Sequence, residues 1–473
     1  MIRAFSFRLR RRILLLSPIL AVIIFIFGFG TLSADHSYYN SEAISTSFKS
    51  LSDKFDFTYL QNFASGNGPY NRGNLKSATL DQVGYIVEPN NVDFKFINRR
   101  NLKGKPAEIL KINEERYKEI FKKEITEPKD FDIDTIRPPK EGENYVLANA
   151  TIIALVRNHE SSMIGKSIRQ FEKKFNSKFN YPYTFLNDQP FAESFKRRMA
   201  KYSNAPMEFV TISPELWNRP DFVDPERQKK EMEIMDKHNI AYAKKESYHN
   251  MCRFYSGNFY NVPELQKYRY YWRIEPDVKF YTNIKYDVFK YLEGTKKVYG
   301  FTINLYDIQE TVKTLWPETL NFLNQKDNYK YVNVNGAHQW LLENLQNPQI
   351  NKMTGGYSTC HFWSNFEIAD MDFFRGEAYN EWFKYLDSTG KFYYERWGDA
   401  PIHSMGLALF ADKKQIHWFR DIGYFHDPYY NCPRNPETQL CETSKFSKWE
   451  HLADQNCMVN YIDNVMDDLD AIY

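Results

Sequence analysis

Thr151-Ile152-Ile153-Ala154-Leu155-Val156 is an unbroken apolar, largely β-branched run, the pattern of a strand buried on both faces. Met163 to Phe175 follows with apolar positions at helical spacing, and Tyr183-Thr184-Phe185-Leu186 forms a second strand run that stops at Asn187-Asp188. Asp224-Pro225-Glu226 predicts a helix start, with proline at the first helical position, and the basic residues that continue to Lys237 fit a solvated face. Tyr268 to Ile274 is a further strand, ended by Glu275-Pro276-Asp277. Strands and helices in alternation predict an α/β fold with a mainly parallel sheet, whose ligands bind at the C-terminal strand ends.

The first part of the chain has a different pattern. Arg3, Arg8, Arg10, Arg11 and Arg12 precede an uncharged stretch from Ile13 to Leu32, about the twenty residues a helix needs to cross a bilayer. Arginines on that flank stay cytosolic and place the rest of the chain on the far side. A cleaved signal peptide, with Leu32-Ser33-Ala34 as its cleavage region, is the competing reading; the apolar run is longer than a typical signal core. Beyond it, Asn67-Gly68-Pro69 and Asn71-Arg72-Gly73 are turn signals, Ile109 to Lys123 has a charged helical pattern, and Pro138 to Glu143 reads as a boundary. The expected organisation is a cytosolic tail over 1–12, an anchor helix over 13–32, a luminal stem and extension over 33–142, and a catalytic domain over 143–473.

Composition narrows this picture only a little. Lys and Arg number 62 against 60 Asp and Glu, a net charge of +2, so no basic surface points to nucleic acid. Cysteines number five, an odd count that leaves at least one outside any disulfide within the chain. None stand at zinc-site spacing, and Cys432, Cys441 and Cys457 predict a stapled C-terminal segment. Asn149-Ala150-Thr151 is a glycosylation sequon in form, but its threonine opens the first buried strand, which argues against modification.

Two segments carry most of the chemistry. His361-Phe362-Trp363-Ser364-Asn365-Phe366-Glu367-Ile368 and Arg396-Trp397-Gly398-Asp399-Ala400-Pro401-Ile402-His403 each set one acid among aromatic and amide side chains. Sugar rings stack apolar faces on aromatics and present hydroxyls to Asn, Asp, Glu and Arg. Trp363 and Trp397 are therefore candidate stacking platforms. At the strand end, Glu275 and Asp277 are carboxylates one residue apart, a pattern able to hold a divalent cation whose other positions go to diphosphate oxygens; the same tripeptide also occurs as a plain turn.

These segments, with Leu155-Val156-Arg157-Asn158, Phe185-Leu186-Asn187-Asp188, Met251-Cys252-Arg253-Phe254-Tyr255-Ser256-Gly257 and Tyr271-Trp272-Arg273-Ile274-Glu275-Pro276-Asp277-Val278, resemble the fungal Golgi α-1,2-mannosyltransferases, the killer-toxin-resistance group of glycosyltransferase family 15. The likeness runs in order from about Tyr145 to Cys432. It implies a single-pass type II Golgi membrane protein with a luminal, GT-A-like, single Rossmann-type nucleotide-sugar domain. The implied reaction uses manganese and GDP-mannose, retains the anomeric configuration, and extends mannose-terminated N- or O-linked glycans of glycoproteins. By motif position, Glu275 and His426 resemble the metal ligands and Tyr248 the tyrosine that contacts nucleotide or donor. Glu367 resembles the proposed nucleophile and Asp399 the second acid near the reacting sugar. Arg157, at the end of the first strand, is placed for guanine or diphosphate contact.

Each candidate has a structural alternative: a turn cap for Glu275, a packed ring for His426, a buried hydrogen-bonded acid for Glu367, a turn for Asp399, a surface ion pair for Arg157 and a core position for either tryptophan. Mannosylphosphate transfer, a metal-free carbohydrate hydrolase built on Glu367 and Asp399, and a non-catalytic glycan-binding protein are the competing functional classes.

Overall fold

The computed structural model describes residues 105–466, apart from 326, 343, 345 and 348. Its strands are β1 (Ala150–Leu155), β2 (Tyr183–Asn187), β3 (Met207–Thr211), β4 (Tyr270–Arg273), β5 (Lys279–Phe280) and β6 (Tyr299–Phe301). They continue with β7 (Asn304–Tyr306), β8 (Cys360–Phe362), β9 (Glu367–Asp370), β10 (Ile416–Trp418), β11 (Tyr424–His426) and β12 (Tyr429–Asn431). The central sheet has seven strands in the order β10-β6-β9-β4-β1-β2-β3. Pairs β4–β1, β1–β2, β2–β3 and β10–β6 are parallel, whereas β9 runs antiparallel to both β4 and β6. The sheet is thus mixed and mainly parallel, as expected. A three-stranded β12-β11-β5 sheet and a β7-β8 pair flank it.

The helices that matter for the site are α1 (Pro106–Ile120), α2 (Ser161–Lys174), α3 (Pro225–Lys237), α4 (Glu246–Arg253), α5 (Glu377–Ser388), α6 (Asp399–Phe410) and α7 (Met458–Asn464). Helix α2 is the crossover between β1 and β2. It buries Ile164, Ile168 and Phe171, an i, i+4, i+7 stripe, and the Phe171 ring meets Trp272 of β4 edge-on with centroids 4.7 Å apart. Helix α3 starts where Asp224 predicts: its Oδ1 accepts from the backbone N–H of Glu226 (2.9 Å) and Arg227 (3.2 Å), satisfying donors that the first turn leaves open.

Three expectations about the ends of the domain need restating. The turn at Pro138–Glu143 is no boundary in the packing: Tyr117, Ile120, Phe121, Ile125, Ile133 and Ile136 belong to the same hydrophobic core as the sheet. Apolar residues in that stretch outweigh the proline and glycine signals, because burying them gains about 1.5–3 kcal/mol per large side chain. Among the described residues no helix is long and apolar enough to cross a membrane; the tail and span expected over 1–32, and the stem up to residue 104, lie outside them. Disulfides join Cys432 to Cys441 and Cys360 to Cys457, so the C-terminal segment is stapled locally and also tied back to β8, while Cys252 is buried and unpaired. Thr151 of the sequon is fully buried.

Candidate active site

Because β1, β2 and β4 are parallel, their C-terminal ends open on the same edge of the sheet. The residues that follow each strand there, Val156 and Arg157, Asp188, and Glu275, form one wall of a solvent-open cavity of about 570 Å³. Helix α4 adds Tyr248 and Met251, the loop after β8 adds Trp363, Ser364 and Asn365, the N-terminus of α6 adds Asp399, and the end of β11 adds His426 and Asp427. Arg157, Tyr248, Glu275, Trp363, Asp399 and His426 therefore come together from six separate places in the chain.

Arg273, the last residue of β4, organises the floor. It is 5% exposed. Its Nε donates to Glu275 Oε1 at 2.7 Å and its Nη1 to Asp399 Oδ2 at 2.6 Å, while its guanidinium lies 3.6 Å over the Tyr255 ring. Ser364 Oγ donates a second hydrogen bond to Asp399 Oδ2 at 2.7 Å. Burial opposes the charge on Asp399, but Arg273 and then His403 outweigh it and hold the carboxyl below its ordinary range. For Glu275 the balance goes the other way: burial dominates Arg273 and lifts its pKa. Arg396 donates from Nη1 to the Tyr248 hydroxyl at 3.2 Å and so fixes that phenol at the wall.

Glu367 is not in that wall. The antiparallel register pairs it with Arg273 across β4 and β9, and it lies fully buried beneath the floor. Its Oε2 accepts from the Tyr299 hydroxyl at 3.0 Å and sits 3.0 Å from His403 Nδ1. Its Oε1 has no hydrogen-bond partner and stands 3.9 Å from Arg273 Nη1. Direct attack on a sugar in the cavity, the role expected of Glu367, does not fit this placement.

Two further expectations change. Trp397 is a core residue, fully buried, with Nε1 donating to Glu395 Oε2 at 2.9 Å and its ring against Phe392; it is absent from the cavity wall. Trp363 does line the cavity, held edge-on to His426 (4.9 Å) and Tyr429 (5.1 Å). Asp277 sits on a left-handed backbone (φ 61°) and is not among the residues lining the cavity, although its charge still acts on His426, so Glu275 is the one acid of the pair in the wall.

The fit of these residues to a cation rests on His426. Its Nδ1 is buried without a hydrogen-bond partner, the residue lines the same cavity as Glu275, and burial lowers its pKa. A buried ring nitrogen without a partner costs free energy unless something fills it, and imidazole with carboxylate is an acceptable donor set for manganese or zinc. Among the described residues no group of three or more His, Cys, Asp or Glu forms a ready-made metal cage, so the remaining ligand positions would have to come from substrate or water. Sequence reasoning missed Arg273, Arg396, Asp307 and His361 as parts of the site. Arg273 had a signal: a cation at the end of an aromatic strand run, two residues ahead of Glu275.

A mainly parallel sheet with a strand-end acid, an arginine hub and an aromatic-lined cavity at its C-terminal edge defines a glycosyltransferase of GT-A-like build. A family model described as glycolipid 2-alpha-mannosyltransferase matches residues 107–466. The chain belongs to that family, and is a mannosyltransferase. It is 49% identical over 368 residues to the probable mannosyltransferase KTR4 of Saccharomyces cerevisiae, covering 76% of this chain and 78% of that one. The X-ray structure of the S. cerevisiae mannosyltransferase Ktr4p in complex with GDP matches with a TM-score of 0.75 and 46% identity, over 83% of this chain and 98% of that one. Core-mannan synthase A from Aspergillus fumigatus, in its Mn/GDP form, matches with a TM-score of 0.67 and 45% identity, over 71% and 89%.

Proposed function

We propose that this protein transfers mannose from GDP-mannose, with retention of configuration, to the 2-hydroxyl of terminal mannose on N- or O-linked glycans, as a type II Golgi membrane enzyme anchored through residues 13–32. The observation that carries the reading is the cavity itself, lined by Glu275, Asp399, Trp363 and a His426 whose Nδ1 is buried without a hydrogen-bond partner, in a chain 46% identical to a GDP-bound relative.

Glu275 and His426 would hold the divalent cation, and manganese bound there supplies positive charge against the leaving GDP diphosphate. Arg157 at the end of β1 is placed for the nucleotide's phosphate or base. Asp399 stays ionised, because Arg273 holds its carboxyl low. A carboxyl of that kind is a weak proton acceptor and a good stabiliser of positive charge developing at the anomeric carbon. With Glu367 below the floor, retention is reached by entry of the acceptor hydroxyl on the face from which the diphosphate leaves, its proton passing to the departing phosphate oxygen. The Tyr248 hydroxyl, fixed by Arg396, orients donor and acceptor at that face. The same placement of Glu367 weighs against a hydrolase, whose two carboxyl groups must flank the bond they cleave.

The test is product analysis. GDP-mannose, manganese and α-methyl mannoside incubated with the protein should yield an α-1,2-linked disaccharide. Free mannose as the main product would support hydrolysis, and a phosphodiester product would support mannosylphosphate transfer; either overturns the proposal.

A further inference from the structure

His403 of α6 is fully buried one helical turn on from Asp399, and apart from its charge effect on Asp399 none of the roles above uses it. Its surroundings restrict its protonation. Nδ1 lies 3.0 Å from Glu367 Oε2, and Nε2 lies 2.8 Å from the backbone carbonyl oxygen of Tyr255. A carbonyl oxygen has no proton to give in any state, and Glu367 Oε2 already accepts the Tyr299 hydroxyl proton. Beside an ionised Glu367, a neutral imidazole would therefore turn a lone pair on one nitrogen toward a buried acceptor, whichever tautomer it took. With Glu367 ionised, only the imidazolium satisfies both contacts; a neutral ring requires that Glu367 Oε2 carry the proton and donate it to Nδ1. Aromatic rings close the rest of the pocket: Phe374 at 4.7 Å, with Phe259 and Tyr379 each at 6.3 Å.

We propose that His403 is a permanently charged imidazolium that neutralises Glu367 from below, and that this leaves Arg273 free to hold Glu275 and Asp399 in the cavity wall. His403 is then a positioning residue, acting through Arg273 rather than on substrate. The reason is competition for one guanidinium. Glu367 Oε1 lacks a hydrogen-bond partner and stands 3.9 Å from Arg273 Nη1, the same nitrogen that donates to Asp399 at 2.6 Å. If the His403 charge is removed, Glu367 becomes an uncompensated buried anion, and Arg273 is the nearest cation able to answer it. That movement would withdraw Nη1 from Asp399. The charged groups facing His403 agree with this: burial opposes its protonation, but Glu367 first, then Asp399, with the Tyr255 carbonyl, lift its pKa above the ordinary value.

The charge on His403 is independent of which donor or acceptor is used. It is tested on protein labelled with ¹⁵N at histidine, by long-range proton–nitrogen spectra from about pH 5.5 to about pH 8.5, the range in which an ordinary histidine titrates. The expected result is one histidine with both ring nitrogens in the imidazolium range throughout, two slowly exchanging ring N–H protons, and loss of that signal in His403→Gln. A neutral tautomer, or a titration inside that range, overturns the proposal. Kinetics give the second readout. His403→Gln should lower kcat about tenfold or more, and the double variant Glu367→Gln/His403→Gln should recover most of it, because no buried anion then pulls on Arg273. A double variant no better than His403→Gln alone refutes the competition for Arg273. Should His403→Gln fail to fold, the wild-type spectra decide the charge, and Glu367→Gln should bring the His403 ring into the titrating range.

Discussion

Replacing Arg273 with methionine keeps a flexible stem of similar length and removes the one cation that Glu275 and Asp399 share. Two hydrogen bonds between charged groups disappear, at 2.7 and 2.6 Å. The buried Asp399 and the part-buried Glu275 are also left without their main counter-charge. Breaking a buried ion pair by removing one partner costs about 3–5 kcal/mol, and we take about 4. Unfolding entropy of about 2.1 cal/mol/K per residue over roughly 360 folded residues gives about 0.76 kcal/mol/K. The expected drop in Tm is thus about 5 °C. The loss should depend on pH with a defined sign. Arg273 depresses the folded-state pKa of Asp399; the stability it contributes is present above the unfolded carboxyl value of about 3.9 and is lost as pH falls through the lower folded value. Thermal unfolding of wild type and variant, followed by circular dichroism at neutral and acid pH, should show a gap that is full at neutrality and shrinks toward pH 3. A gap below about 1 kcal/mol at neutrality, or one that does not change with pH, refutes the description of Arg273 as a buried counter-ion.

Asp399→Asn should lower kcat by about 10²–10³ with a small change in KM, the loss seen when one preorganised electrostatic group is removed; steady-state kinetics check it, and an equal rise in KM at constant kcat would point to ground-state binding instead. Trp397→Ala should cost about 3–5 kcal/mol of stability in denaturant unfolding. Trp363→Ala should leave the midpoint nearly in place and raise the acceptor KM. The Cys360–Cys457 link closes a loop of sequence separation 97 and the Cys432–Cys441 link one of 9. Loop-closure entropy then assigns about 4.7 kcal/mol to the first and about 2.6 to the second, so Cys457→Ser should unfold at lower denaturant than Cys441→Ser, and the reverse order would contradict the loop argument.

What the sequence made legible follows from how each signal is written. Strand β1 is a continuous apolar run, β2 and β4 are aromatic-rich runs closed by Asn187 and Arg273, and α2 carries its stripe in full, so the parallel half of the sheet could be read directly. Strands β6, β9 and β10 have three or four residues each, too few for a period to emerge, and the antiparallel insertion of β9 was hidden with them. That insertion is what pairs Glu367 with Arg273 and takes it below the floor. Motif position brought Glu275, Tyr248, Asp399 and His426 into view, but it could not tell a wall residue from one beneath the wall. Trp363 and Trp397 show the same limit: each adjoins an acid-bearing segment, and only packing separates the platform from the core. Residues 105–142 were misjudged because prolines and glycines are conspicuous, whereas Ile120, Phe121 and Ile125 reveal their burial only against a partner surface.

The central claim is a cation held by Glu275 and His426 that binds the diphosphate of GDP, and calorimetric titration of GDP with manganese or with a chelator tests it most directly. Wild type should bind GDP about tenfold or more tightly with manganese. Glu275→Ala, with an unchanged far-ultraviolet spectrum, should bind it weakly and equally in both conditions. If wild type binds GDP with the same affinity in chelator, or if Glu275→Ala keeps the full manganese dependence, the site is not the one described.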